Sequence, residues 1–222
     1  MLKEKLWIRK ISDGAFLEKE DEVATEYLLE IPLSDGSQIT VTCTPKNLAE
    51  MIAARRFLAG DFVTEELKCY AQIVKTAKPL ERAALDEIFL IARDSFENPG
   101  SLFVETGCAH SCALIFQGKA VCCIEDIGRH NALDKVIGYA IRNQIPLCSC
   151  YVFTSGRISG DYLQKIIDAG LPMVVSRAAV TEKAVKLAKE HGITMLGFVR
   201  KNTGNLYHEG AVKICMSNKE NE

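Results

Sequence analysis

Residues 123–138, "CIEDIGRHNALDKVIG", join an apolar run that reads as a strand to an amphipathic run that reads as a helix. Glu125, Asp126, Arg129, His130, Asn131, Asp134 and Lys135 crowd that single turn. Gly128 permits a tight path. Asn131 suits an N-cap, with Asp134 three residues on as the partner of a capping box. Arg129, His130 and Lys135 are left over from helix-start chemistry. An arginine beside free helix N–H groups favours an anion. His130 is a candidate hydrogen-bond donor or general acid/base; a lone histidine is more often structural, but its place beside Arg129 favours the functional reading.

A second dense stretch is "VETGCAHSCALIF", with Glu105, Thr106, Gly107, Cys108, His110 and Cys112 between apolar runs. Cys-x-His-x-Cys invites a metal reading, with Cys122, Cys123, Cys148 and Cys150 as further thiols. No C-x-x-C pair accompanies it, and thiols in strands commonly pack as small hydrophobes. In a cationic rim a thiol becomes a better nucleophile, and Cys108, at a glycine-containing turn, is the best placed. "FTSGRISGD" supplies Ser155, Gly156, Arg157 and Ser159 before another helix. Small and hydroxyl residues there suit phosphate contact. The stretch is neither a P-loop nor G-x-S-x-G.

These turns belong to three units of one plan: apolar strand, arginine-bearing turn, amphipathic helix. They are "AVCCIED-IGRHN-ALDKVIGYAIRNQ", "CYVFTS-GRISG-DYLQKIIDAG" and "PMVVS-RAAVT-EKAVKLAKEHG", closed by "ITMLGFVR". Strand–helix alternation implies a largely parallel sheet covered by helices, with ligands at the carboxyl edge. That edge gathers Arg129, Arg157 and Arg177, so a phosphate or pyrophosphate group is expected. A solvated rim, with the arginines paired to Glu125, Asp126 and Asp161, is the competing reading. "SCALIFQGKAVCCIE" adds an antiparallel hairpin. Upstream, "LWIRKI" reads as a strand, and "VATEYLLEIPL" and "SQITVTCT" as a hairpin turned by "SDG". "TPKNLAEMIAARRFLAG" reads as a helix capped by Thr44 or Asn47 and ended by Gly60. Residues 61–79 are ambiguous. "PLERAALDEIFLIARDSF" reads as a helix with Leu80, Ala84, Ile88, Ile91 and Phe96 on one face, broken by "ENPGS". The polar end "SNKENE" is expected to fray.

With 222 residues, 48% of them hydrophobic, the chain can bury a substantial core. A formal charge of −2 gives no long-range pull toward nucleic acid or anionic membrane. No signal-like N-terminus and no run near the roughly 18 apolar residues of a membrane span is present. A cytoplasmic protein is expected, its nine cysteines serving as thiols, ligands or sulfur carriers rather than disulfides.

In order, "ETGCAHSCAL", "EDIGRHNALDKVIG", "TSGRISGDYLQKIIDAG" and "LAKEHGITMLGFVR" resemble the formate dehydrogenase accessory protein family, FdhD/NarQ. The resemblance covers about residues 102–208, and more loosely 23–62. It implies a three-layer, cytidine-deaminase-like α/β domain with a largely parallel mixed sheet over residues 80–222. A β-rich hairpin and helix part would occupy 1–62, and a shortened connecting segment 63–79. The zinc signature of true deaminases is absent. The implied activity is sulfur transfer. A cysteine desulfurase would supply a persulfide, and the sulfur would pass to molybdenum cofactor before its insertion into the formate dehydrogenase catalytic subunit. The implied ligand is molybdopterin guanine dinucleotide, held by Gly107, His110, Asp126, Arg129, His130, Asp134, Lys135, Ser155 and Arg157, with no metal bound directly by the protein. A homodimer is implied. The family's carrier cysteines lie in a C-G-x-C-G loop that this chain lacks. Its shortened region holds only Cys69, so Cys69 and Cys108 are the two candidate carriers. A cofactor-binding chaperone without the transfer step, and a thiol-rich metal-binding or redox protein, are the alternatives.

Overall fold

The computed structural model describes residues 1–12 and 14–216; Asp13, residues 217–222 with their expected fraying, and the Phe96 side chain lie outside the described set. The chain opens with a ribbon of two ten-residue antiparallel strands, β1 (Lys3–Ser12) and β2 (Ala15–Ala24). A second hairpin, β3 (Tyr27–Pro32) and β4 (Gln38–Cys43), follows, and then helix α1 (Leu48–Leu58). Asn47 occupies the N-cap of α1 in a left-handed conformation and makes no side-chain cap bond. The Thr44 hydroxyl is committed elsewhere, as described below, so neither expected cap acts. Gly60, at φ 73°, ends the helix region as expected.

The ambiguous segment folds as α2 (Glu65–Thr76), capped by Thr64 accepting from the Leu67 N–H. The helix expected from residue 80 begins later. Leu80 N–H donates to Cys148 O and Lys213 N–H to Glu81 O. These bonds hold the backbone extended, so β5 (Arg82–Ala84) precedes α3 (Leu85–Glu97) and pairs in parallel with the last strand, β12 (Lys213–Cys215). Ile88 and Ala92 of α3 are buried, and Leu80 and Ile91 pack beside them. A short helix, α4 (Ser101–Thr106), comes after the break at residues 98–100.

The remaining strands are β6 (His110–Phe116), β7 (Lys119–Asp126), β8 (Cys150–Thr154), β9 (Met173–Ser176), β10 (Thr194–Arg200) and β11 (Thr203–His208). The helices between them are α5 (Arg129–Arg142), α6 (Gly160–Asp168) and α7 (Glu182–His191). The sheet order is β11-β10-β9-β8-β6-β7. β8, β9 and β10 pair in parallel, whereas β6 runs antiparallel to both neighbours and β11 antiparallel to β10. The sheet is therefore mixed. Gln117 and Gly118, both at positive φ, make the two-residue turn of the β6–β7 hairpin.

Three layers result. One face, with Cys112, Leu114, Val152, Val174 and Met195, packs under α1, α2, α5, α6 and α7. The other, with Ala113, Ile115, Phe153, Val175 and Leu196, packs under α3. Strand alternation sends successive residues to opposite faces. Both faces are covered, which is why these strands read as near-continuous apolar runs. Helices α1 and α5 touch closely: a Cβ on Gly138 would lie 1.8 Å from the Glu50 carbonyl oxygen. Among the described residues no helix is long and apolar enough to cross a membrane.

Candidate functional site

The carboxyl ends of β7, β8, β9 and β10 share one sheet edge with the amino end of β6, because β6 runs the other way. A cleft of about 430 Å³ opens there. Gly107, Cys108, His110, Ser155 and Arg177 line it, with Glu125 and the α3–α4 junction opposite. Its construction is local. Gly107 closes α4 at φ 68°, and the Cys108 N–H donates to Thr106 Oγ1 at 3.1 Å. The Cys108 thiol is exposed. Ser111 N–H donates to Ser155 Oγ at 2.9 Å, fixing the β8 turn against β6. Glu125 accepts from the Leu102 and Phe103 N–H groups at 3.1 and 3.0 Å, so its carboxylate caps α4 rather than an arginine.

The arginine turns are joined to one another. Arg129 donates to Ser159 Oγ at 3.2 Å, and the missing Cβ of Gly156 is what lets its side chain lie there. Arg177 N–H donates to Thr154 O, linking the third turn to the second. Arg157 is exposed and has no carboxylate partner among the described residues. Burial lowers the His110 pKa below the ordinary histidine value, and the nearby charges of Arg129 and Arg157 lower it further. Burial, then Arg129 and Lys165, lower that of His130, against the pull of Asp161 and Asp134. His130 Nε2 lies 3.0 Å from Asp161 and its ring 5.4 Å from that of Tyr162.

Both histidines therefore bind protons more weakly folded than unfolded. Stability should be level above the unfolded value near 6.5 and fall as pH drops through it toward the lower folded values. Urea midpoints from pH 8 to 5.5 are expected to decline for the wild type and to decline less for His130→Gln. Equal slopes would show that His130 has no part in the dependence.

The resemblance had assigned Asp126, Asp134 and Lys135 to the ligand; the structure places all three fully buried, under protein. Asp126 Oδ2 receives Lys135 Nζ at 2.6 Å, Thr44 N–H at 2.9 Å and Thr44 Oγ1–H at 2.9 Å. Its Oδ1 receives the Gly128 N–H and Asn131 Nδ2–H, each at 3.0 Å. Lys135 also donates to Thr44 O at 2.9 Å. Helix α5 starts at Arg129 with Gly128 as N-cap. Asn131 thus lies inside the helix, donating to Asp126 and to Thr42 O at 2.7 Å, and the expected capping box does not form. Asp134 sits 2.7 Å from Arg55 Nη2 and 2.6 Å from Lys165 Nζ. Burial raises its pKa against both cations and lowers that of Lys165. As placed, Asp126 and Lys135 bear on the cleft through the turn they hold.

The two candidate thiols are far apart. Cys69 is exposed on α2. Its neighbour Tyr70 receives the Leu147 N–H at 3.0 Å and donates to Ile145 O at 3.0 Å. Those residues lead into β8, so Cys69 sits toward the sheet edge opposite the cleft. Burial pushes the thiols of Cys122 and Cys150 up to about 12 and raises that of Cys112 well above the ordinary thiol value. No group of three or more His, Cys, Asp or Glu residues among the described ones is placed to hold a metal ion. The sequence reading missed the far wall of the cleft. Ser95, Pro99, Gly100 and Phe103 come from "ENPGS" and its flanks, read above only as a helix break.

Fold and site define a class: a three-layer α/β protein with a cleft at the carboxyl edge of its sheet, lined by an arginine and holding an exposed thiol. Residues 63–212 match the FdhD/NarQ family, and the chain belongs to that family. It is 31% identical to the sulfur carrier protein FdhD of Bacillus pumilus, over 93% of this chain and 95% of that protein. It is 30% identical to the sulfur carrier protein FdhD of Geobacillus kaustophilus, over 93% and 96%. The crystal structure of a putative formate dehydrogenase accessory protein from Desulfotalea psychrophila superposes with a TM-score of 0.79 at 25% identity, covering 94% of this chain and 97% of that one.

Proposed function

We propose that this chain is a sulfur carrier of the formate dehydrogenase maturation route. Its cargo is molybdenum cofactor in the guanine dinucleotide form, and it carries sulfur from a cysteine desulfurase on Cys108. The observation behind this reading is that one cleft gathers an exposed thiol, a serine hydroxyl and Arg177, with Arg129 and Arg157 near enough to act on His110 in its wall. Arg129, Arg157 and Arg177 suit a pyrophosphate. Ser155, Gly107 and the neutral His110 supply short polar contacts beside it. In the loading step the Cys108 thiolate attacks the outer sulfur of the desulfurase persulfide. The donor's S–S bond breaks, the desulfurase cysteine leaves as thiolate, and the new S–S bond is on Cys108. The loaded chain would then meet the formate dehydrogenase catalytic subunit in the cytoplasm. A homodimer is part of the proposal. By register, Trp7, Ile11 and Phe16 share one face of the β1–β2 ribbon, and all three are exposed.

Nucleotide binding is the direct test. Calorimetric titration with GDP, a soluble fragment carrying base and pyrophosphate, should show Arg129→Ala binding about tenfold more weakly, as expected when a charged hydrogen bond to phosphate is lost. An unchanged affinity would remove the rim from the ligand site. The chaperone reading draws on one specific observation, the single thiol in the cleft.

A further inference from the structure

Cys108 and His110 stand two residues apart at the entrance to β6, and both line the cleft. Cys108 follows the left-handed Gly107 that ends α4. His110 is the first residue of β6, paired in register with Asp126 of β7. Its neighbour Ser111 is pinned to the β8 turn through Ser155 Oγ. The sheet therefore sets the place of the histidine, and the turn after α4 that of the cysteine. Two residues of extended chain span at most about 7 Å between Cα atoms. That interval lets an imidazole meet a thiol directly or through one water. Among the described residues no hydrogen bond or ion pair holds the His110 ring, whereas His130 lies 3.0 Å from Asp161. The acids around it are engaged elsewhere: Glu105 with Lys3 at 2.9 Å, Glu125 with the α4 N–H groups, Asp126 with Lys135. The cations around it are Arg129, Arg157 and Arg177. Burial, then Arg129 and Arg157, hold its pKa below the ordinary histidine value, so near pH 7 the ring is an unprotonated imidazole. A thiol is mostly protonated at that pH, and the thiolate is the nucleophile.

We propose that His110 is the general base that takes the proton from Cys108 as its sulfur attacks the donor persulfide. The proposal rests on the carrier reading above and supplies the proton step of its loading reaction. An imidazole nitrogen of His110 accepts the S–H proton while Cys108 Sγ bonds to the outer sulfur of the donor. The donor's S–S bond breaks, and its cysteine leaves with the electron pair. The imidazolium then gives the proton to that thiolate, and His110 is neutral again for the next cycle. One S–S bond replaces another, so no oxidant or reductant enters. The arginines act twice. They keep the imidazole unprotonated before the step, and they make the imidazolium a readier acid after it.

The experiment alkylates the full chain with iodoacetamide from pH 6 to pH 9 and follows Cys108 by peptide mass spectrometry. His110→Gln keeps a polar side chain of similar size and cannot take up the proton. It should react about tenfold more slowly than the wild type at pH 7, a modest effect for a positioned base because a thiol is already partly ionised there. The two rates should converge by pH 9, where a thiol ionises unaided. Free imidazole should restore His110→Ala, since a cleft of about 430 Å³ has room for the ring. Loading from an active cysteine desulfurase at pH 7 should slow in His110→Gln by the same factor. Equal alkylation rates at every pH, or a deficit that stays constant to pH 9 and that imidazole does not repair, overturn the base. Wild-type Cys108 that alkylates with the expected profile but takes no sulfur overturns the carrier reading and leaves the thiol–imidazole pair standing. Loading of Cys108 at one rate with and without His110 overturns this inference and leaves the carrier reading intact.

Discussion

Cys108→Ser is expected to abolish persulfide loading, while Cys69→Ser loads like the wild type. Incubation with an active cysteine desulfurase and cysteine, followed by intact-mass and peptide mass spectrometry, should show one adduct of about 32 Da (one sulfur) mapped to Cys108. A carrier must be reached by a donor's persulfide and must react as thiolate. Cys43, Cys112 and Cys150 are buried, and burial raises the pKa of each. Burial also raises those of Cys122 and Cys123, and neither the exposed Cys123 nor the half-buried Cys148 and Cys215 lines the cleft. Cys69 is exposed, but it rides on α2 away from the arginine turns. Cys108 alone combines exposure with a place in the cleft that Arg177 lines. An adduct on Cys69, or one that persists in Cys108→Ser, would refute this assignment. No adduct on any cysteine, with the desulfurase active on a control acceptor, would leave the chaperone reading standing.

Much of the fold was legible because its strands and helices follow periodicity that packing enforces. β8 and β9 are buried at every position, so their apolar runs announced themselves. The turns of β6–β7 and β3–β4 carried glycine where a positive φ is required. The edges of elements were less legible, since a partner distant in sequence decides them. Residues 82–84 have helical composition, and pairing with Lys213–Cys215, beside the bonds from Leu80 N–H to Cys148 O and from Lys213 N–H to Glu81 O, draws them into a strand. The site shows the same division. Sequence order placed Ser155 and the arginines at one edge, because each follows a strand end. It could not show that Asp126 and Lys135 turn inward, since their partner Thr44 lies 82 and 91 residues away. Nor could it show that Glu125 would spend its charge on α4. Polar residues close together in sequence divide between ligand and structure according to partners that the local sequence does not contain.

The largest stability loss is expected from splitting the Asp126–Lys135 pair. Both side chains are fully buried, 2.6 Å apart. Removing one partner of a buried ion pair strands the other charge in a medium that solvates it poorly, at a cost of about 3–5 kcal/mol. Asp126→Asn should fall at the upper end. It leaves the Lys135 charge without its counter-ion and puts an amide donor among groups that already donate, the N–H groups of Thr44 and Gly128 and the Asn131 amide. Lys135→Met should fall at the lower end, since four neutral donors still face the carboxylate. For a chain of this size about 3–5 kcal/mol lowers the unfolding midpoint by roughly 6–20 °C. The double variant should lose less than the sum of the singles, because the second change removes a charge already stranded by the first. Urea and thermal unfolding of the four proteins measure this directly. Single losses near 1 kcal/mol, or strict additivity, would mean that Thr44 and Asn131 hold the turn without the ion pair. The network ties the start of α5 to the β4–α1 connection through Thr44 and Thr42. Loosening it therefore loosens the backbone from which Arg129 reaches Ser159, and the rim loses its geometry before any ligand contact is removed.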